Sequence, residues 1–182
     1  MAELDTKYKP TDFNQRLRAR TTFDCAGASS FTGQVTATAG VVGSTPVAFS
    51  SGTALALTRA LHAGRTVYVT DVAAAYTLPA ATGSGDRYRI VLGATQTGAG
   101  TISTTSSGVF VGNATLYQDG GASVNGFSAA ATDNTIDLFE ASNTTGGMIG
   151  ASYDFEDVAT NVWQVNIVSD AGGTEATPFS TV

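Results

Sequence analysis

A chain of 182 residues with a net charge of −6 is long enough to bury one sizeable core, so we expect one domain. Only 13% of the residues are charged, against about 25% in an ordinary soluble domain, and Ser, Thr, Asn and Gly carry the polar surface instead. The single Cys25 excludes an internal disulfide framework, and no apolar run reaches the ~18 residues of a membrane span. The N-terminus lacks the apolar centre of a secretory signal, so we expect the protein to be made and assembled in the cytoplasm.

Positive charge is concentrated at the start of the chain. Five of the nine basic residues lie in the first twenty positions, and no basic residue follows Arg89. Nine acidic residues follow Arg89, so the sequence reads as a basic arm attached to an acidic body. Because phosphate backbones need clustered Lys and Arg, we expect the body to bind neither nucleic acid nor an anionic membrane surface.

Residues 1–24 are polar and nearly free of glycine, and we predict that they form an N-terminal arm outside the folded body. A short helix over 10–20 is favoured, since Thr11 or Asp12 can cap its start, although its small apolar face leaves it marginal in isolation. The alternative is a frayed tail. The side chains predicted to anchor the arm to a partner or sister subunit are Lys7, Lys9, Phe13, Arg16, Leu17, Arg18 and Arg20.

From residue 25 onward the sequence pattern consists of strand-like segments separated by glycine-rich turns. The predicted strands cover 31–39, 47–49, 54–57, 65–70, 87–92, 100–105, 108–117, 134–139, 148–158 and 161–168. Segment 54–57 could instead be a short helix, and 72–75 could form one helical turn. This pattern predicts an all-β fold with a β-sandwich or jelly-roll body over 25–182, in which 25–58 could be a separate lead-in subregion. We find no fixed internal repeat and therefore expect no β-solenoid.

The clearest turn of the chain lies between Leu78 and Tyr88. Pro79 lacks an N–H and biases Leu78 towards extended geometry, so strand pairing should stop there. Gly83 and Gly85 permit a positive φ in a tight bend. From Tyr88 onward, large apolar residues alternate with polar ones, which is the period of a half-buried strand.

Large aromatic residues mark the expected core. The predicted anchors are Tyr88, Phe139, Phe155 and Trp163, each of which contributes roughly 1.5–3 kcal/mol when buried. Phe179 is expected to plug the body from a final docking segment at 176–180. Aromatic residues on strands also mark subunit interfaces, and that alternative stays open.

The residues that carry catalysis are sparse in this sequence. His62 is the only histidine, and its neighbours suggest a loop without a catalytic or ligand role. The densest acidic patch is Asp154, Glu156 and Asp157, which could hold a calcium ion, serve a glycosidase, or form a solvated strand edge that repels stray pairing. We favour the strand edge, and we expect no enzymatic activity, no cofactor and no metal.

The motifs TLPAATGSGDRYRI (77–90), a later TI strand, a Gly-Gly pair before a long strand, VWQV (162–165) and a closing ATPF (176–179) also allow a comparison with known families. Together they resemble β-rich virion proteins of tailed bacteriophages, most of all capsid decoration (cement) proteins, over roughly residues 60–180.

The resemblance implies a structural protein on the capsid surface of the virion, made in the host cytoplasm, that stabilises the capsid by bridging its subunits. Its partners would be the major capsid protein and further copies of itself, as a homo-oligomer and most often a homotrimer. The alternative function is a receptor- or carbohydrate-binding module of a tail fibre or spike, with Tyr117 and Phe127 as exposed sugar platforms.

Overall fold

The computed structural model describes residues 47–49, 54–73, 75–121, 123–139 and 142–181. The strand predicted at 31–39 and the whole arm at 1–24, with its seven predicted anchoring residues, lie outside the described residues. Strands dominate the secondary structure of the described chain and its one helix has 4 residues, so the all-β prediction is confirmed. The elements are β1 Val47–Phe49, β2 Ala54–Ala56, α1 Arg59–His62, β3 Thr66–Val69, β4 Ala75–Thr77, β5 Arg87–Leu92, β6 Thr101–Ser103, β7 Val109–Gln118, β8 Val124–Ser128, β9 Thr135–Asp137, β10 Ser152–Ala159, β11 Val162–Ala171 and β12 Phe179–Ser180.

The strands form two mixed sheets that pack together as a sandwich-like body. The large sheet has seven strands in the order β1-β3-β5-β10-β11-β7-β8, and the small sheet has five in the order β12-β9-β6-β4-β2. Residues from both sheets share one hydrophobic core. Burial alternates strictly along the long strands, as in β11, so each strand has one face towards this core and one face away from it.

The first six strands alternate between the two sheets and pair in parallel within each sheet. In the large sheet Val47 pairs with Val67, which pairs with Ile90, at offsets of 20 and 23 residues. In the small sheet Ala54 pairs with Ala75, which pairs with Thr101, at offsets of 21 and 26 residues. These strands wind as a parallel coil of three turns within the two-sheet body. The unequal offsets explain why the sequence shows no fixed repeat.

The second half closes the body with mainly antiparallel pairs. β10 joins β5 to β11, and β8 extends the large sheet beyond β7. Two elements, β8 and α1, were not predicted from the sequence. The helical turn considered at 72–75 is not formed, because residues 72 and 73 form a bend and β4 begins at Ala75. Segment 54–57 is extended as β2, because it pairs with β4.

The centre of the core is an aromatic contact between β5 and β11. The rings of Tyr88 and Trp163 meet edge to face with centroids 5.4 Å apart, and the indole Nε1–H donates to the carbonyl of Pro79 at 3.3 Å. Leu78 is also fully buried, and Phe179 of β12 is nearly so.

Two further predicted anchors behave differently from each other. Phe155 is buried against Phe110 at 5.9 Å between ring centroids, whereas Phe139 is only half-buried. Ile136 of β9 and Leu138 directly after it both face the core, so the alternation of side chains turns Phe139 away from the core.

Trp163→Ala should lower the free energy of unfolding by roughly 3–5 kcal/mol, because the cavity left by a fully buried large aromatic side chain cannot close. Chemical denaturation followed by far-ultraviolet circular dichroism measures this change. The matched control is Val111→Ala on the exposed face of β7, which should cost less than about 0.5 kcal/mol. Equal midpoints for the two variants would contradict the burial of Trp163.

Candidate functional site

The turn between Pro79 and Asp86 is held by one carboxylate from another part of the chain, that of Asp157 on β10. The backbone N–H of Thr82 donates to Oδ2 at 2.9 Å, and that of Gly83 donates to Oδ1 at 2.6 Å. The hydroxyls of Thr82 and Ser84 donate to Oδ2 at 3.1 and 2.9 Å. Gly83 and Gly85 have φ values of 78° and 74°, as the turn requires. The turn is therefore fixed by a buried anion that accepts hydrogen bonds from consecutive residues.

Asp157 stays charged although it is buried, with 3% of its surface exposed. Desolvation by burial raises its pKa, but the hydrogen bonds from Thr82, Gly83 and Ser84 together outweigh that effect and lower the pKa from 3.8 to about 2. The sequence carried a signal for this role. Tyr153 and Phe155 are the inward residues of β10, so the next inward position places a carboxylate on the core side of the sheet.

The acidic patch is not a strand edge, because β10 lies between β5 and β11 in the sheet. Glu156 pairs with Arg87 at 3.0 Å, and Asp154 lies 3.7 Å from Arg89, across the β5–β10 register. With Asp157 bound to the turn, each of the three carboxylates contacts a group of the protein itself.

Asp157→Asn should destabilise the body by about 2–4 kcal/mol, because an amide presents N–H groups to donors that now face a carboxylate. The substitution should also change how the free energy of unfolding depends on pH below about pH 4. Since the folded pKa of Asp157 is depressed, its contribution is present above about pH 4 and is lost as pH falls towards 2. The free energy of unfolding of the wild type should therefore fall across this pH window as Asp157 is protonated, and the variant should lack this part of the fall. Urea unfolding at several pH values measures it, with Asp154→Asn as the control on the same strand; parallel profiles for wild type and Asp157→Asn would refute the assignment.

The outer face of the large sheet, meaning the side chains that point away from the core, has a polar depression of about 540 Å³ across β5, β10 and β11. Ion pairs and amides make up its walls, and the main lining side chains are Arg65, Arg87, Arg89, Glu156, Gln164 and Asn166. We call this depression the polar groove. Its chemistry suits a polar partner surface or a polar small molecule rather than an apolar ligand.

The opposite end of the same face has different chemistry. Tyr117 of β7 lies in register with Asp170 of β11 and Val124 of β8, and all three side chains are exposed. Asp119 follows β7 directly. Glu175 accepts hydrogen bonds from Ser123 and Asn125, and because Asn125 is in register with the buried Leu116, Glu175 lies on the core-facing side of β8. We call this surface, from β8 to the last residues of β7 and β11, the β7–β8 end.

Two residues singled out from the sequence lie elsewhere than expected. His62 is the last residue of α1, not a loop residue, and it is buried with its Nδ1 accepting the N–H of Thr58 at 2.8 Å. Phe127 packs against the core and is not an exposed platform, because β8 turns it inward beside Ala114. Tyr117 remains 44% exposed.

Within the described residues, no group of three or more His, Cys, Asp or Glu side chains is placed to hold a metal ion. The helix in that part of the chain is too short to cross a membrane. In comparisons with protein-family models, curated proteins and solved structures, nothing matches the chain with significance.

Proposed function

We propose that the protein is a non-enzymatic structural component of a tailed-bacteriophage virion that decorates the capsid and stabilises it by bridging capsid subunits. The proposal starts from the resemblance of the turn, VWQV and ATPF motifs to capsid decoration proteins. The major capsid protein would be the partner, and the outer face of the large sheet would be the surface that meets it.

The observation that carries the proposal is the internal charge pairing of this outer face. Arg87 and Glu156 neutralise each other at 3.0 Å, and their neighbours Gln164 and Asn166 are uncharged amides. Arg65 is the lining arginine without an ion pair to a described residue, so a partner that offers it one carboxylate can cover this surface without burying an unpaired charge, which would otherwise cost several kcal/mol. The strands beneath are fixed by the shared core, so the face is preorganised for binding.

Bridging also gains from several contacts made at once. An oligomer that engages several capsid subunits raises the effective concentration for each further contact, so modest individual affinities suffice. The basic arm residues predicted from the sequence would add contact area at a capsid or sister subunit.

The polar groove favours a second candidate, a receptor- or carbohydrate-binding module of a tail fibre or spike. Guanidinium, carboxylate and amide groups around a depression are the groups that hydrogen-bond sugar hydroxyls. Against this candidate, the inward position of Phe127 leaves Tyr117 as the one predicted aromatic platform that is exposed, and Tyr117 lies at the other end of the face.

Capsids purified without the protein provide the direct test. Full-length wild-type protein should bind them at saturable, symmetric positions seen by electron microscopy, and bound capsids should withstand heat better than bare ones. Asn166→Trp places a bulky side chain on the outer face of β11 and should weaken binding by about tenfold or more, because the bulk separates the two surfaces.

The matched control is Thr77→Trp, which adds the same bulk to an exposed position of the small sheet and should leave binding unchanged. If wild-type protein does not bind capsids at all, the decoration function is wrong. If Asn166→Trp binds as well as wild type, decoration uses another face. Binding to a glycan array that Asn166→Trp removes would favour the second candidate.

A further inference from the structure

We propose that the β7–β8 end of the outer face binds the basic N-terminal segment, residues 1–24, of a second copy of the chain. The inference concerns self-assembly and does not depend on which particle the protein decorates.

The β7–β8 end is an unpartnered sheet edge and face in the described part of the chain. β8 is the last strand of the large sheet, and its sequence Val-Asn-Gly-Phe-Ser contains no charge and no proline. Folded proteins ordinarily protect such an edge with lysine, proline or a bulge, because its free N–H and C=O groups invite pairing. Beside this edge, Val124 is 55% and Tyr117 44% exposed. A surface with these properties is suited to be covered in an assembly.

Charge identifies the occupant. Asp119 and Asp170 lie at this end, and neither forms an ion pair with a described residue. The arginines of the described chain all lie within residues 59–89, on the far side of β10 and β11, and three of them pair with acids there. The concentrated positive charge that remains is in the first twenty residues of the sequence.

The apolar groups match as well. Phe13 and Leu17 are the large apolar residues within the basic stretch 10–20, and they stand four positions apart between the basic groups. Tyr117 and Val124 offer two exposed apolar side chains between acids. One segment can therefore satisfy both the apolar and the charged groups of the β7–β8 end.

The two free edges of the large sheet suit a second copy as the source of the segment. β1, the first described strand, is the opposite edge of the large sheet from β8. Six strand spacings separate these edges, or roughly 29 Å at ~4.8 Å per spacing. When copies stand head to tail, the β1 edge of one adjoins the β8 edge of the next. Such a heterologous contact closes into a ring when the rotation permits, which is consistent with the trimer expected from the sequence.

Cross-linking of the full-length chain tests the contact directly. Unlabelled and ¹⁵N-labelled protein are mixed in high salt, returned to low salt and treated with a carbodiimide, which joins amines to carboxylates in ion-pair contact. The expected products link Lys7 or Lys9 to Asp119 or Asp170, and a substantial fraction of them carry one labelled and one unlabelled peptide. Products with peptides of one isotope alone would overturn the second copy as occupant, and products that avoid the β7–β8 end would overturn the surface.

Charge reversal supplies the second test. Asp119→Lys with Asp170→Lys should raise the dissociation constant of the oligomer by about tenfold in sedimentation, because two exposed attractions become repulsions. Arg16→Glu with Arg18→Glu should do the same, and all four changes together should return the constant to near the wild-type value. Glu175 is left intact because it bonds to Ser123 and Asn125.

The matched control is Asp137→Lys, a charge reversal on the small sheet, which should leave the oligomer unchanged. Melting temperatures establish that each variant is folded. A monomeric wild-type protein, or four combined changes that do not restore association, would refute the proposal.

Discussion

The carboxylate of Asp157 is the interaction on which the arrangement of the two halves depends. It connects β10, a strand of the antiparallel half, to the turn between β4 and β5 of the coiled half. β5 then pairs with β10 itself, and Trp163 of β11 packs on Tyr88 and donates to the carbonyl of Pro79. The Asp157 carboxylate, the Tyr88–Trp163 ring contact and the indole hydrogen bond to Pro79 thus all fix this one turn on the core side of the sheet. A charge can remain there because consecutive N–H and O–H groups replace the water that it loses.

The pairing of β5 with β10 joins the two halves into one large sheet, and the outer face is the surface of that sheet. The coil supplies β1, β3 and β5, of which β5 carries Arg87 and Arg89. The antiparallel half supplies β10, β11, β7 and β8, of which β10 and β11 carry carboxylates. Where β5 meets β10, opposite charges lie across one register and neutralise each other. Towards β8 the arginines end, and the acids keep no basic partner among the described residues. The order of strands therefore turns a charge asymmetry along the sequence into one across a single surface, with arginines paired to acids at its centre and acids alone at one end.

The polar groove and the β7–β8 end are both surfaces presented by strands that the shared core fixes in place. The two proposals divide this face between a partner at the centre and a sister copy at the edge, and the two contacts do not compete for the same residues.

Much of this protein could be predicted from local sequence, and the rest depended on long-range pairing. Alternation along Tyr88, Ile90 and Leu92, or along Trp163, Val165 and Ile167, fixes which side of a strand is buried, since side chains alternate in every strand whatever its partners. The positive φ at Gly83 and Gly85 likewise follows from the residues themselves.

Strand order has no such local signal. The parallel coil joins residues 20 to 26 positions apart at unequal offsets, so no repeat reveals it, and β8 lacks any local feature that separates it from a loop. The partners of the acidic residues on β10 likewise depend on which strands become neighbours. The sequence places Asp154 and Glu156 on one side of β10 and Asp157 on the other, but only the fold brings arginines to the first side and the turn at Thr82 to the second. The sequence by itself determined which side of the alternating strands β5 and β11 is buried and where the chain bends at Gly83 and Gly85, because these follow from the local geometry of the chain. The tertiary structure decided which charges meet, because that depends on which strands become neighbours.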